Sequence, residues 1–170
     1  MMNAREQVLD ILRKAYQIEV DGHTFYSMTA AKADKPAVRE LFDKLAHDEV
    51  QHQAFLKEVL RGYDEKGAEA FRLNARIPEM TAFTAKIFTD QFRQQAAGAE
   101  FEVAALSIGM TLETRAIEYF TGAAKTANDN DVRSFYEFLA EWERGHLDAL
   151  SSLYSSVRAD YWAESGFAPF

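Results

Sequence analysis

Two Glu-x-x-His motifs, Glu49-Val50-Gln51-His52 and Glu143-Arg144-Gly145-His146, stand 94 residues apart in a chain of 170. Three residues are slightly less than one helical turn, so in each motif the carboxylate and the imidazole project to one face as a chelating pair. Sliding the sequence against itself by the same 94 residues lays Glu19 on Glu113, each a lone carboxylate on a stripe where a helical pattern calls for apolar residues. The register holds without a gap from Glu6/Glu100 to Leu56/Leu150, passing through Val38/Val132, Arg39/Arg133 and Leu45/Leu139. Matched leucines carry little information, because all amphipathic helices share that rhythm. The matched Glu and His are informative, since the chain has only four His. The repeat implies two helix pairs, each supplying a lone Glu from its first helix and a Glu-x-x-His from its second. That is the ligand arithmetic of a dinuclear metal centre inside a four-helix bundle.

The rest of the chain supports an all-α reading. Eight Gly and three Pro leave few breakers, and most stretches lack the β-branched enrichment of strands. A first helix is predicted from about Asn3 to Ala33, with Leu12, Tyr16, Glu19, His23 and Tyr26 on one stripe. Asp34-Lys35-Pro36 ends it and starts the second, since Pro suits only a helix's first turn. The second helix is expected to run to about Arg61 and stop at Gly62, with Phe42, Leu45, Glu49, His52, Leu56 and Val59 inward. Gly62 to about Ala97 reads as a long crossover holding one short helix, Glu79 to Gln95. A third helix from about Gly98 to Thr126 carries Leu106, Met110, Glu113, Ile117 and Phe120, and a turn at Asn128-Asp129-Asn130-Asp131 follows. The fourth, from about Asp131 to Arg158, aligns Tyr136, Leu139, Glu143, His146, Leu150 and Leu153. The apolar segment beyond it, Tyr161-Trp162 and Phe167 to Phe170, is expected to dock on the bundle or on a second copy in a homodimer. All 170 residues are read as one domain.

Four carboxylates in the middle of packed helices need compensation, because a buried ion without a partner costs several kcal/mol. No Lys or Arg shares their stripes, and two divalent cations would bring four carboxylates to formal neutrality. The metal ligands expected are therefore Glu19, Glu49, His52, Glu113, Glu143 and His146. With no Cys in the chain, thiolate catalysis, iron–sulfur clusters and Cys-ligated zinc are excluded. A hard oxygen set completed by two imidazoles suits two iron ions, with manganese or zinc as substitutes. Around these ligands, Asp48 is expected to orient His146 across the bundle. Tyr16 and Tyr26 flank Glu19; core packing is their expected role, although a phenol there could supply a proton or an electron. His23 is expected to be a hydrogen-bonded core residue rather than a seventh ligand, and His47 to be exposed.

Composition narrows the partners. Lys+Arg 19 against Asp+Glu 27 gives a net charge of −8, with no basic run, which argues against nucleic acid and an anionic membrane surface. The Met-Met-Asn-Ala-Arg-Glu start has no apolar signal core, so a soluble, cytoplasmic protein is expected.

At these residues the sequence resembles the ferritin-like di-iron proteins, most closely the rubrerythrin group. The shared features are Glu19 and Glu113, Glu49-x-x-His52 and Glu143-x-x-His146, and the aromatic pairs Phe25-Tyr26 and Tyr119-Phe120. The resemblance implies a non-haem di-iron site that reacts with hydrogen peroxide or dioxygen, in roles from peroxide reduction to ferroxidation and iron storage. It also implies two departures. The Cys-ligated iron domain that feeds electrons to rubrerythrins has no counterpart here, so an external electron donor would be required. Rubrerythrins have a further Glu one turn after the third-helix ligand, where this chain has Ala116. The leading expectation is a di-iron oxidoreductase with Glu49 and Glu143 in the bridging positions. Its alternatives are an iron-binding or storage module without turnover, and a bundle whose polar layer only fixes partner choice.

Overall fold

The computed structural model of the chain describes residues 3–72 and 100–164. Within them lie α1 (Ala4–Lys32), α2 (Pro36–Lys66), a short 3-10 helix (Gly67–Arg72), α3 (Glu100–Thr126) and α4 (Asn130–Glu164). Together they form an all-α, ferritin-like four-helix bundle. Asn3 opens α1 with a capping box: its side chain accepts from the Glu6 amide at 2.9 Å, while Glu6 accepts from the Asn3 amide at 2.8 Å. Pro36 takes the first turn of α2, and Asp129 caps α4 by accepting from the amides of Asp131 and Val132.

Each pair is antiparallel. Arg5, at the start of α1, reaches Asp64, near the end of α2, at 2.7 Å. In the other pair, Gly109 early in α3 sits against Leu150 late in α4. The two hairpins share a clamp at their turns. Arg39 donates to the Ala33 carbonyl at 2.8 Å, and Arg133 donates to the Ala127 carbonyl at 2.8 Å. These pairs are related by the 94-residue offset, so the matched arginines are structural, each satisfying a carbonyl just beyond the last turn of the preceding helix.

Boundaries differ from expectation in two places. Gly62 does not end α2; the helix continues to Lys66 and stops at Gly67, whose φ of +64° favours glycine. Gly62 instead serves a close approach, because a Cβ there would lie 3.3 Å from the Ala70 Cβ of the 3-10 helix folding back on α2. α4 passes beyond Arg158 to Glu164, so Tyr161 and Trp162 belong to a helix. The expected short helix Glu79 to Gln95, most of the crossover and Phe167 to Phe170 lie outside the described residues.

The core is divided. Tyr26, Phe42, Leu45, Leu106 and Leu150 belong to one apolar cluster, and Leu12, Leu56, Phe120, Tyr136 and Leu139 to another. Glu19, Glu49, His52, Glu113, Glu143 and His146 are buried too, and their helix positions fall between those of the two clusters. The inward stripes of α2 and α4 are those expected. On α1, however, Ala15 is fully buried while Tyr16 and His23 are only half-buried. On α3, Gly109 and Ala116 are buried where Met110 and Ile117 were expected to be. Small residues thus face inward beside each lone Glu, at repeat-related positions: Ala15/Gly109 and Gly22/Ala116.

Candidate metal centre

The six carboxylate and imidazole side chains gather from all four helices. Donor atoms of Glu49, His52, Glu143 and His146 all lie within 4.8 Å of one another. Glu19 joins through His52, whose Nδ1 lies 2.9 Å from Glu19 Oε2 and 3.4 Å from Glu49 Oε2. Glu113 joins through His146, whose Nδ1 lies 3.3 Å from Glu49 Oε1, 3.7 Å from Glu113 Oε1 and 3.8 Å from Glu143 Oε2. Glu49 therefore presents one oxygen toward each imidazole, and so toward each half of the repeat. Gln53 donates to the Glu19 carbonyl at 3.1 Å, tying α2 to α1 beside the ligands.

Neighbouring side chains fix this arrangement. The Trp142 indole stacks on the His52 ring with centroids 3.7 Å apart, and the His52 and His146 rings lie 5.1 Å apart and nearly parallel. Trp142 precedes Glu143, as Asp48 precedes Glu49 in the other half. Asp48 itself is half-buried. One residue before a ligand is about 100° round the helix, which sets Asp48 to the flank. Tyr26 is fully buried and donates its hydroxyl to Glu113 Oε1. Tyr16 packs at the edge of the core with the Lys57 ammonium 5.2 Å from its ring centroid. His23 Nε2 lies 3.3 Å from the Ser27 hydroxyl one turn on. His47 is exposed and lies 2.8 Å from Gln51.

Crowded carboxylates hold protons. Burial, reinforced by the neighbouring Glu49 charge, raises the Glu19 carboxyl from 4.5 to about 8. Burial also pushes Glu143 well up, with Glu19, Glu113 and Glu49 adding to it. At Glu113 burial acts upward too, but hydrogen bonding and attraction from His146 outweigh it and leave the carboxyl below its ordinary value. Burial disfavours the His146 imidazolium, yet the Glu49 and Glu113 carboxylates prevail and hold it well above the usual imidazole range.

A rubrerythrin family model matches residues 10–154. The chain belongs to the rubrerythrin family. No curated protein and no solved structure matches it. Rubrerythrin-like domains bind two iron ions, and the residues of this rubrerythrin-family chain fit such a pair. Glu19 Oε1 and Glu143 Oε1 are buried without a hydrogen-bond partner, a state that proteins avoid unless something else satisfies the atom. The buried charged side chains among the described residues include no Lys or Arg to do so. Four carboxylates and two imidazoles form the hard oxygen and nitrogen set that iron or manganese takes.

Small residues make the room. A Cβ on Gly22 would lie 3.2 Å from Glu49 Cδ, so glycine lets the carboxylate stand against α1. Gly22 and Ala116 also border a cavity of about 250 Å³ that reaches Glu49, Glu113 and Glu143. These residues escaped the sequence reading because periodicity was traced through large apolar side chains. The signal that could have found them was the pairing of Gly22 with Ala116 and of Ala15 with Gly109 at the repeat offset. Among the described residues, no helix is long and apolar enough to cross a membrane.

Proposed function

We propose that the chain is a non-haem di-iron oxidoreductase that reacts with hydrogen peroxide or dioxygen and draws its electrons from an external donor. Glu19 with His52, and Glu113 with His146, would each serve one metal, and Glu49 and Glu143 would bridge. The observation that carries this reading is Glu49, whose two oxygens lie 3.4 and 3.3 Å from imidazole nitrogens of opposite halves. Bound as a ferrous pair, the metals would supply the two electrons that convert peroxide to water. Tyr26 holds a proton at Glu113 Oε1, at the edge of the same cavity that Glu113 lines. Trp142 covers the imidazole side and keeps the His52 ring in one orientation. The open approach is from the carboxylate side, past Gly22 and Ala116.

Anaerobic iron loading with metal counting, followed by stopped-flow mixing with peroxide and then with dioxygen, tests the proposal. Two irons per chain, oxidised faster than free ferrous ion, are expected. Oxidation no faster than free iron would remove the catalytic reading. Iron retained far beyond two per chain would replace it with storage.

A further inference from the structure

The cavity beside the carboxylates is larger than its proposed reactant needs. Its volume of about 250 Å³ corresponds to roughly eight non-hydrogen atoms at the volume a water molecule occupies in the liquid. Hydrogen peroxide and dioxygen have two. The walls are largely apolar: Ile18 on α1, with Leu112, Ala116 and Tyr119 on α3, line the cavity alongside the carboxylates. Two exposed residues of opposite sign, Asp21 and Arg115, line the same cavity and offset one another, and two bound divalent ions would offset the carboxylates, so the loaded site would carry no net charge that selects an anion or a cation. Glu143, whose buried Oε1 has no hydrogen-bond partner, lines the cavity too.

From this shape we infer that the cavity is a subsite for a small, neutral organic hydroperoxide, its apolar body against Ile18, Leu112, Ala116 and Tyr119 and its peroxide head at the Glu49, Glu113 and Glu143 carboxylates. The inference rests on the di-iron reading above and narrows its substrate. Reduction breaks the O–O bond: R–O–O–H would take two protons and the two electrons that a bound ferrous pair supplies, and leave as R–O–H and water. The size of Ala116 sets the specificity. A larger side chain there, buried between the helices, would fill the volume that the organic group requires.

The test separates binding from turnover by using zinc-loaded protein, which is redox-inert, and tert-butanol, the alcohol product of tert-butyl hydroperoxide. Methyl NMR of Ile18 and Leu112 should show saturable shifts with tert-butanol, and Ala116→Phe should abolish them. On ferrous-loaded protein, the ratio of oxidation rates with tert-butyl hydroperoxide and hydrogen peroxide should fall about tenfold or more in Ala116→Phe, within the range that a filled or emptied apolar pocket commands. Should that variant not fold, Ile18→Phe, at a half-buried position, makes the same test. Two zinc ions per chain without methyl shifts would overturn the subsite while leaving the metal centre standing. Failure to bind zinc or iron would overturn both.

Discussion

Tyr26 on α1 donates its hydroxyl to Glu113 on α3, so a phenol from the first half of the repeat serves a carboxylate of the second. The reciprocal contact does not exist, because the position matching Tyr26 is Phe120 and a phenyl ring has nothing to donate. Glu19 Oε1 is accordingly left without a partner. The two matched carboxylates diverge in proton affinity as a result of their surroundings. Burial and the Glu49 charge raise Glu19, whereas at Glu113 the upward push of burial is overcome by His146, Glu143 and Tyr26.

Replacing Tyr26 by Phe should destabilise the metal-free protein by about 1–3 kcal/mol, the cost of leaving a buried acceptor unsatisfied. Urea unfolding measures it. The same change at the half-buried Tyr16, which makes no such bond, should cost far less; equal losses would show that the Tyr26 hydroxyl contributes nothing beyond packing.

Metal-free stability should fall as pH rises from about 5 to about 8, because the native state binds more protons than the unfolded chain across that window. Glu19, raised to about 8, and Glu143, raised well above its ordinary value, keep their protons in the folded chain at pH values where they ionise when unfolded. His146, raised above its ordinary value, contributes in the same direction, since its stabilisation fades as pH climbs toward its folded pKa. Glu113, lowered, acts only at the acid end, where its contribution is lost as pH falls. Thermal melts over this range check the sign, and a rise in melting temperature would contradict the crowding of unpaired carboxylates.

Divalent metal should reverse that slope. Binding requires deprotonated ligands, so affinity and stabilisation grow with pH. Free metal at a hundred times its dissociation constant stabilises by about 2.7 kcal/mol, readily seen as a shift in melting temperature. Glu143→Gln should cancel most of this shift without lowering the metal-free melting temperature, because the neutral amide resembles the protonated acid it replaces. A variant that still gains full stability with metal would place Glu143 outside the ligand set.

Gly22→Ala sets two effects against each other. Alanine in a helix interior is favoured over glycine by about 0.5–1 kcal/mol, yet the new Cβ would stand 3.2 Å from Glu49 Cδ. Metal affinity should drop by about tenfold while the helical circular dichroism signal is kept. Titration of zinc or ferrous ion by calorimetry decides it; unchanged affinity would mean that Glu49 moves aside without consequence for the centre.

Much of this molecule was legible before its structure. Pro36 and the Asn128 to Asp131 turn placed the hairpins, and the stripes of α2 and α4 survive residue for residue, because long side chains at a 3.6-residue period must share one face. What periodicity could not resolve was adjacent positions. Ala15 and Tyr16, or Ala116 and Ile117, differ by about 100° about the helix axis, and the larger residue of each pair was the wrong choice for the interior. Gly62 misled as a terminator because a glycine that permits close packing looks identical in sequence to one that ends a helix.

The chain's own order of residues determined the four long helices, the doubling and the types of side chain that meet, since these follow from local spacing and from an offset that can be counted. Which of those side chains touch was decided only when the helices packed. Relative rotation and height brought Tyr26 to Glu113, Trp142 onto His52 and a void between Gly22 and Ala116. Contacts between helices depend on how two surfaces interlock, and no single helix carries that information.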